Sequence, residues 1–365
     1  MEYVELGNVA TYINGYAFKP EQRGKIGLPI IRIQDLNDNS YDLGFFDGSY
    51  PEQIEINTGD ILISWSGSLG VYKWSKGKAL LNQHIFKVVF NKINIDKEFF
   101  CYAVKNSLSV MSQQTHGATM KHITKKDFDK VLIPYPSLNT QRKIAQKLNI
   151  VTELIVFYET ELSLMEQLIK ARFIEMFGDP IINPYGFPVK KIDEVAVLNK
   201  GITYSPDDIS KEGIIVLRSG NIKGNAFDLE DIVRISKKIS NDKLVNENDI
   251  LMCNRNGSVN LVGKVAKIPK LEEKMTFGTF MTIVRSEIFE YLFVFFQMNA
   301  FREQIKFQTA VAINQISLPL LASVKVPIPT NELIKEFADF VRQVDKSRFN
   351  IKKSIIELER EVVYD

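Results

Sequence analysis

The apolar and polar positions of this chain follow two patterns that alternate twice along its length. Residues 1–136 read as short β segments: 4–13, 29–33, 60–65 and 85–90 are rich in β-branched and aromatic residues and are bounded by Gly, Asn and Asp. One helix is expected within this stretch, over residues 96–111. An exit strand at 131–134 is stopped by Pro134 and Pro136. Then the pattern changes. From Ser137 to Phe177 there is neither Pro nor Gly, and Ile144, Leu148, Val151, Ile155, Tyr158, Leu162, Met165 and Leu168 recur at steps of three and four. That is the seam of a coiled-coil helix. Residues 140–177 as helix span about 57 Å at ~1.5 Å per residue. Gly178-Asp179-Pro180 ends the run.

The same plan then starts again. Residues 187–329 are strand-rich, with a helix near 289–301. A second long helix begins at Thr330, with Ile334, Phe337, Val341, Val344, Ile351, Ile355, Leu358 and Val362 on its seam; Arg348 holds a seam position where an apolar residue is expected. The echo extends to individual residues. Leu6, Val9, Ala10 and Gly15 reappear as Ile192, Val195, Ala196 and Gly201, 186 positions later. Asn57 and Asp60 reappear as Asn246 and Asp249, Gly67-Ser68 as Gly257-Ser258, and Ile133-Pro134-Tyr135-Pro136 as Val326-Pro327-Ile328-Pro329. A long internal repeat fixes architecture before any single residue does. The expected fold is α+β: two similar β-rich domains (1–136 and 187–329), each followed by a long helix (137–178 and 330–365), with a linker at 179–186. Each helix is too apolar along one stripe to stand alone, so the two are expected to pair as an antiparallel coiled coil.

Composition narrows the function classes. A chain of 365 residues with 45% hydrophobic and 25% charged residues fits an ordinary soluble protein of two to three domains. No apolar run approaches the ~18 residues of a membrane helix, and the start, Met1-Glu2-Tyr3-Val4-Glu5, is acidic and unlike a signal peptide. Two cysteines and three histidines form neither a disulfide framework nor a metal-ligand spacing, and a cytoplasmic setting is expected. Net charge is only +2, which by itself does not announce nucleic acid.

Catalytic signatures are lacking. No dinucleotide or methyl-donor glycine loop follows a strand. Asn183-Pro184-Tyr185 reads as a turn, not as part of an amino-methyltransferase motif. Gly257 to Lys264 is one residue too long for a phosphate loop, and Val265 stands where Ser or Thr is needed. Asp249 with Glu272, Glu273 and Lys274 imitates a nuclease set that has no counterpart in the first half.

Polar residues cluster instead at corresponding turns of the two halves. Arg32, Gln34 and Asp35 correspond to Arg218, Ser219 and Asn221. Trp65, Ser66 and Ser68 correspond to Asn254, Arg255, Asn256 and Ser258. Thr119, Lys121 and His122 correspond to Asn314 and Gln315. These side-chain types read base edges: Arg pairs with guanine, Asn or Gln with adenine, Ser and Thr with either. Lys73, Lys76, Lys78, Lys125 and Lys126 in the first half, and Lys237, Lys238, Lys264 and Lys267 in the second, are candidate phosphate contacts. For any single residue a solvated turn or a salt bridge is the simpler reading. The frame repeats, however, whereas the polar content of the turns differs, as in one scaffold carrying two specificities.

These features resemble the specificity subunit of type I restriction–modification enzymes. The resemblance covers the whole chain and rests on the two-fold repeat, on Ile133-Pro134-Tyr135-Pro136 leading into Gln141-Arg142-Lys143-Ile144-Ala145, on Asn82-Gln83-His84-Ile85, and on Met176-Phe177-Gly178-Asp179-Pro180. At the second exit Ile334 replaces the Gln and Phe337 the Ile. The resemblance implies two target-recognition domains and two spacer helices. It implies a bipartite, asymmetric site on double-stranded DNA, each domain reading one half-site. It further implies docking of two adenine-methylating modification subunits and of restriction subunits, which would use S-adenosylmethionine, ATP and Mg; this chain would take no cofactor and do no catalysis. The competing readings are a single-chain methyltransferase or nuclease, and a coiled-coil adaptor for proteins.

Overall fold

In the computed structural model, which describes residues 2–37, 43–67, 69–114, 124–309 and 315–364, the sequence repeat becomes a repeat of sheet topology. The first module contains β1 (Tyr3–Glu5), β2 (Thr11–Asn14), β3 (Leu28–Ile31), β4 (Phe45–Phe46), β5 (Glu55–Ile56), β6 (Ile61–Ser64), β7 (Gly70–Lys73), β8 (Ala79–Leu81), β9 (Ile85–Val89) and β10 (Leu132–Pro134). The second contains β11 (Val189–Lys191), β12 (Val197–Lys200), β13 (Ile209–Ser210), β14 (Ile214–Leu217), β15 (Ile222–Lys223), β16 (Ala226–Phe227), β17 (Arg234–Ile235), β18 (Ile250–Cys253), β19 (Val265–Lys267), β20 (Met275–Phe277), β21 (Met281–Arg285) and β22 (Lys325–Pro327). The sheet β2-β9-β6-β7 corresponds strand for strand to β12-β21-β18-β19. A second sheet in each module shares a parallel pair with one antiparallel neighbour: β3 beside β8 and β4, β14 beside β20 and β17. The chain enters and leaves each module through a two-stranded pairing, β1 with β10 and β11 with β22.

The central strands are buried on both faces, which explains their unbroken apolar runs. In β6, Ile61 and Ile63 face one core while Leu62 faces another. In β18, Ile250 and Met252 face one core while Leu251 and Cys253 face another. Alternate side chains of a strand point to opposite faces, so one strand can join two cores.

A three-residue crossover carries the chain from one sheet to the other in each module. Asn82-Gln83-His84 links β8 to β9, and Gly278-Thr279-Phe280 links β20 to β21. The end of the first long strand packs directly on this crossover. Tyr16 N–H donates to the Leu81 carbonyl and Ile202 N–H to the Phe277 carbonyl, both at 2.9 Å. A Cβ at the preceding Gly15 or Gly201 would overlap the carbonyl of Asn82 or Gly278. Both repeats keep glycine there because nothing larger fits.

The structure corrects three sequence expectations. Residues 4–13 are not one strand. A helical turn, Leu6–Val9, separates β1 from β2, and the same turn recurs at Ile192–Val195. It places Leu6 and Val9, three apart, together in the core. The helix near 289–301 is two helices, and the labelled helices are therefore α1 (Lys97–Gln114), α2 (Leu138–Phe177), α3 (Phe289–Phe295), α4 (Asn299–Thr309) and α5 (Asn331–Tyr364). Tight bonds from Gln297 N to Val294 O and from Met298 N to Phe295 O close α3. Buried Phe295, Phe296 and Phe301 surround the break, so apolar periodicity did not reveal it. In α2 it is Ile169, not Leu168, that faces inward: Ile169 is buried and Leu168 is half exposed.

The molecule divides into two compact units, Met1–Phe157 with Ile355–Asp365, and Tyr158–Ser354. Within the second unit, α2 and α5 run antiparallel. Arg172 Nη2 meets Glu336 Oε1 at 2.9 Å and Arg348 Nη2 meets Glu166 Oε1 at 2.8 Å, so one helix descends as the other rises. Ile169, Phe173 and Phe177 of α2 pack with Phe337, Val341 and Val344 of α5. Tyr291 of α3 stacks on Phe173 with ring centres 4.9 Å apart, and Phe337 lies edge-on to Phe173 and Phe177 at 5.5 and 5.3 Å. Leu162 and Ile351 are half-buried beyond this core. Arg348 keeps its seam position because it is doubly paired, to Glu166 and to Asp345 at 3.3 Å, and Asp345 also receives Lys267 Nζ at 2.6 Å.

Within the first unit, Leu148 of α2 is buried, and Ile144, Val151 and Ile155, with Ile355 and Leu358 of α5, are half-buried. Gln141 is fully buried; its amide oxygen accepts from Asp96 N–H at 2.9 Å and its amide nitrogen donates to the Pro136 carbonyl at 2.8 Å. At the corresponding place Ile334 is buried in an apolar core, so the departure from the Gln motif exchanges a hydrogen-bonded anchor for a packed one.

Two substitutions test this account. Phe337→Ala should destabilise the second unit by about 3–5 kcal/mol, the cost of emptying a fully buried phenylalanine site; a chemical-denaturation curve measures it. Gly201→Ala should cost at least roughly 1–3 kcal/mol, the penalty of overpacking. Gly257→Ala is the control, since nothing lies within 4 Å of its added Cβ, and it should melt like the parent.

Candidate nucleic-acid interface

The sheet topology decides where the polar turns meet. β14 and β20 are parallel, with Leu217 opposite Phe277, so the turns that follow them emerge at the same end of module two. β18 is antiparallel to β21, with Cys253 opposite Met281, so the turn after β18 emerges beside the crossover. Three segments far apart in sequence therefore converge. Asn256 Nδ2 donates to Ser219 Oγ at 3.1 Å. Arg255 forms an isolated antiparallel bridge with Gln315. The Arg255 guanidinium carbon lies 5.1 Å from the centre of the Phe280 ring. Thr279 and Thr203 hydroxyls are 3.1 Å apart, and Lys237 Nζ donates to the Thr203 carbonyl at 3.2 Å. Arg255, Ser258, Gln315 and Phe280 are exposed, whereas Ser219 and Asn256 are half-buried.

Other predicted residues of this module belong to the frame. Asn221 is buried; its oxygen accepts from Arg218 N–H, and its nitrogen donates to the carbonyls of Asp228 and Asp231. An amide enclosed in this way has no edge to offer a base. Arg218 is held by Asp231 at 2.6 Å. Asn254 is buried, with its N–H on the Phe280 carbonyl at 2.8 Å. Lys267 is committed to Asp345.

Module one repeats the layout with different chemistry. Ile31 opposes Leu81 and Ser64 opposes Ile85, so the turns carrying Arg32 and Trp65 flank the crossover Asn82-Gln83-His84. Arg32 is locked to Asp35 by bonds of 3.0 and 3.2 Å. Trp65 is a half-buried wedge: it stacks on Phe86 at 5.6 Å, meets His84 edge-on at 4.9 Å, and donates from Nε1 to Asn14 at 3.2 Å. Ser66 is buried. Lys73 lies at the opposite end of its strand pair, across from Ile61, and is paired with Glu98; it is removed from the turns. Gln34 and Gln83 are exposed at the turn end. Ser68, Thr119, Lys121, His122 and Asn314 lie outside the described residues.

Matching Gly67 to Gly257 sets Trp65-Ser66 against Arg255-Asn256, and strand register corrects that match. Ser64 and Cys253 hold equivalent places, so Trp65 is equivalent to Asn254 and Ser66 to Arg255. The second turn carries one more residue before its shared glycine. The crossover residues, with Thr203, escaped the sequence reading as site residues. The available signal was Gly15 repeated as Gly201, which marks a close backbone approach just where the crossover passes.

The nuclease-like set is dispersed into ion pairs. Asp249 receives Arg285 through two bonds of 2.7 Å, and Glu273 receives Arg234 at 2.6 and 2.8 Å. Burial pushes the Cys253 thiol up to about 11 and the Cys101 thiol up to about 12, so both stay protonated near neutral pH. Among the described residues, no group of three or more His, Cys, Asp or Glu side chains is placed to hold a metal ion. No helix there is long and apolar enough to cross a membrane. The Asn183 side chain brackets Phe187, accepting from its N–H at 3.0 Å and donating to its carbonyl at 2.9 Å, the geometry of a turn.

The chain is similar to known proteins along nearly its whole length. It is 24% identical to the type I restriction enzyme EcoBI specificity subunit of Escherichia coli, over 94% of this chain and 78% of that one. It is 21% identical to the MjaVIII specificity subunit of Methanocaldococcus jannaschii, over 94% and 86%. Its fold matches the S subunit of a type I restriction–modification system from M. genitalium with a TM-score of 0.51, at 16% identity, over 99% of this chain and 93% of that one. A chain from a structural study of complex assembly in the type I system matches with a TM-score of 0.55, at 15% identity, over 99% and 95%. The family model for the type I restriction modification DNA specificity domain matches twice, at residues 1–166 and 184–360, and with both modules built on one sheet plan the chain belongs to that family.

Proposed function

We propose that this chain is the DNA sequence-specificity subunit of a type I restriction–modification complex. It recognises a bipartite, asymmetric target on double-stranded DNA, one half-site per module, and works by recognition, without catalysis of its own. The observation that carries this reading is the convergence of Ser219, Asn256, Arg255 and Gln315 at one end of module two, from three segments far apart in sequence. Side chains that read base edges are thereby gathered on a rigid sheet end. In module one the corresponding end carries a different set, with Gln34 and Gln83 exposed. Two equivalent frames with unlike polar ends suit a target with two unlike halves.

The partners belong to the same proposal. Two modification subunits methylate adenine, and restriction subunits join them; S-adenosylmethionine, ATP and Mg are used by those partners, in the cytoplasm. The near-neutral charge of this chain is compatible with phosphate contacts being shared with the partners.

The first test is to map methylated adenines in a host carrying this chain and its modification subunit. A bipartite motif is expected, and random or absent methylation would reject the proposal. Replacing residues 1–136 with the corresponding domain of another family member should change one half-site and leave the other intact; a change in both would break the modular reading. Arg255→Ala should relax specificity at one position of the second module's half-site, costing about 1–3 kcal/mol against the correct base. Equal weakening on every sequence would assign Arg255 to phosphate instead.

A further inference from the structure

The crossover turn of module two carries an aromatic side chain, Phe280, beside Arg255. Phe280, the last residue of the turn, is 51% exposed. A single exposed aromatic residue is unremarkable in itself, but Phe280 is bound to Arg255 in two ways. Its carbonyl accepts the Arg255 backbone N–H at 3.3 Å, and its ring lies 5.1 Å from the Arg255 guanidinium carbon. That distance is within the range of a cation–π contact. The opposite side of Arg255 is bridged to Gln315. An exposed arginine normally samples many rotamers, and ordering it at the moment of binding weakens the contact it makes. One held on a ring presents its planar fork already oriented.

Module one has a related arrangement, with the ring packed one residue earlier on the turn. His84 occupies the position of Phe280, ahead of the strand residue that opposes Ser64 as Met281 opposes Cys253. Its ring meets Trp65 at 4.9 Å, and its carbonyl accepts the Trp65 N–H at 3.2 Å. In each module the last crossover residue has an aromatic ring that packs on a residue of the neighbouring turn.

We propose that Phe280 is a positioning residue for base readout: its ring holds the Arg255 guanidinium in the orientation that pairs with one base, so that Phe280 sets specificity in the second half-site without touching the base. This rests on the proposed function and is tested in the complete complex with modification subunits. Once the methylated motif is known, binding is measured on every single-base variant of both half-sites for the parent, Phe280→Leu, Phe280→Tyr and Arg255→Ala. Phe280→Leu should lose on the order of tenfold discrimination at one base pair of the second half-site, the scale of a lost cation–π contact, leaving the first half-site unchanged. Phe280→Tyr, which keeps the ring, should restore it. Adding Phe280→Leu to Arg255→Ala should cost nothing further at that base pair. Uniform weakening on all sequences, loss at both half-sites, failure of the tyrosine to rescue, or additive losses would each overturn the positioning role while leaving the specificity function standing. A parent complex with no sequence preference would overturn both. A thermal melt of Phe280→Leu equal to the parent is expected, since the side chain is exposed; a lowered melting temperature would mark Phe280 as structural and count against the proposal.

Discussion

The architecture depends on one close backbone approach, made twice. At Gly15 and again at Gly201 the chain runs so near the sheet-to-sheet crossover that a side-chain carbon would overlap a carbonyl. That contact anchors the crossover by paired main-chain hydrogen bonds, from Tyr16 to Leu81 and from Ile202 to Phe277. The crossover in turn receives the N–H of Trp65 in module one and those of Asn254 and Arg255 in module two. The polar turns are therefore held by backbone geometry. Their side chains can differ between the modules while the frame stays the same, because backbone bonds are indifferent to side-chain identity.

A second constraint ties the long helices to module two. Phe173, Phe177, Tyr291 and Phe337 form one buried aromatic cluster among α2, α3 and α5. Edge-to-face and stacked contacts of this kind add to the burial of large rings and fix their orientation. The ion pairs at Arg348 and Arg172 stand beside the cluster. Half-exposed pairs add little to stability, but unlike apolar contacts they are directional, and a polar residue in a seam favours one register. They link Glu166 to Arg348 and Arg172 to Glu336, the order of an antiparallel pair.

The polar residues at the turns divide into frame and surface. Asn221, Asn254, Arg218 and Arg32 are committed to carboxylates, carbonyls or burial. Arg255, Gln315 and Ser258 face outward, and the Phe280 ring, also exposed, lies against Arg255. Arg32 and Arg218, at equivalent positions, are each paired with a carboxylate of their own module, whereas Arg255, with no arginine equivalent to it in module one, is exposed on its turn. Within a duplicated scaffold, a conserved position argues for framework and a divergent one for readout.

The sequence alone determined the duplication, the two long helices and the α+β class. Those features are written in periodicity, in proline and glycine placement, and in residue matches at a slowly drifting offset, all of which are local properties of the chain. Helix limits were legible to within two residues at α2, predicted over 140–177 and found at Leu138–Phe177. The tertiary structure decided which polar residues are available. Whether an asparagine is an open amide or a buried brace depends on what packs around it, and Asn221 and Asn256 look alike until the carbonyls of Asp228 and Asp231 are placed beside the first. It also decided that Ser219, Arg255 and Gln315 share one surface, and that Phe280 belongs with them. Those residues are brought together by a parallel strand pair and a sheet-to-sheet crossover, long-range contacts that leave no periodic trace in the sequence.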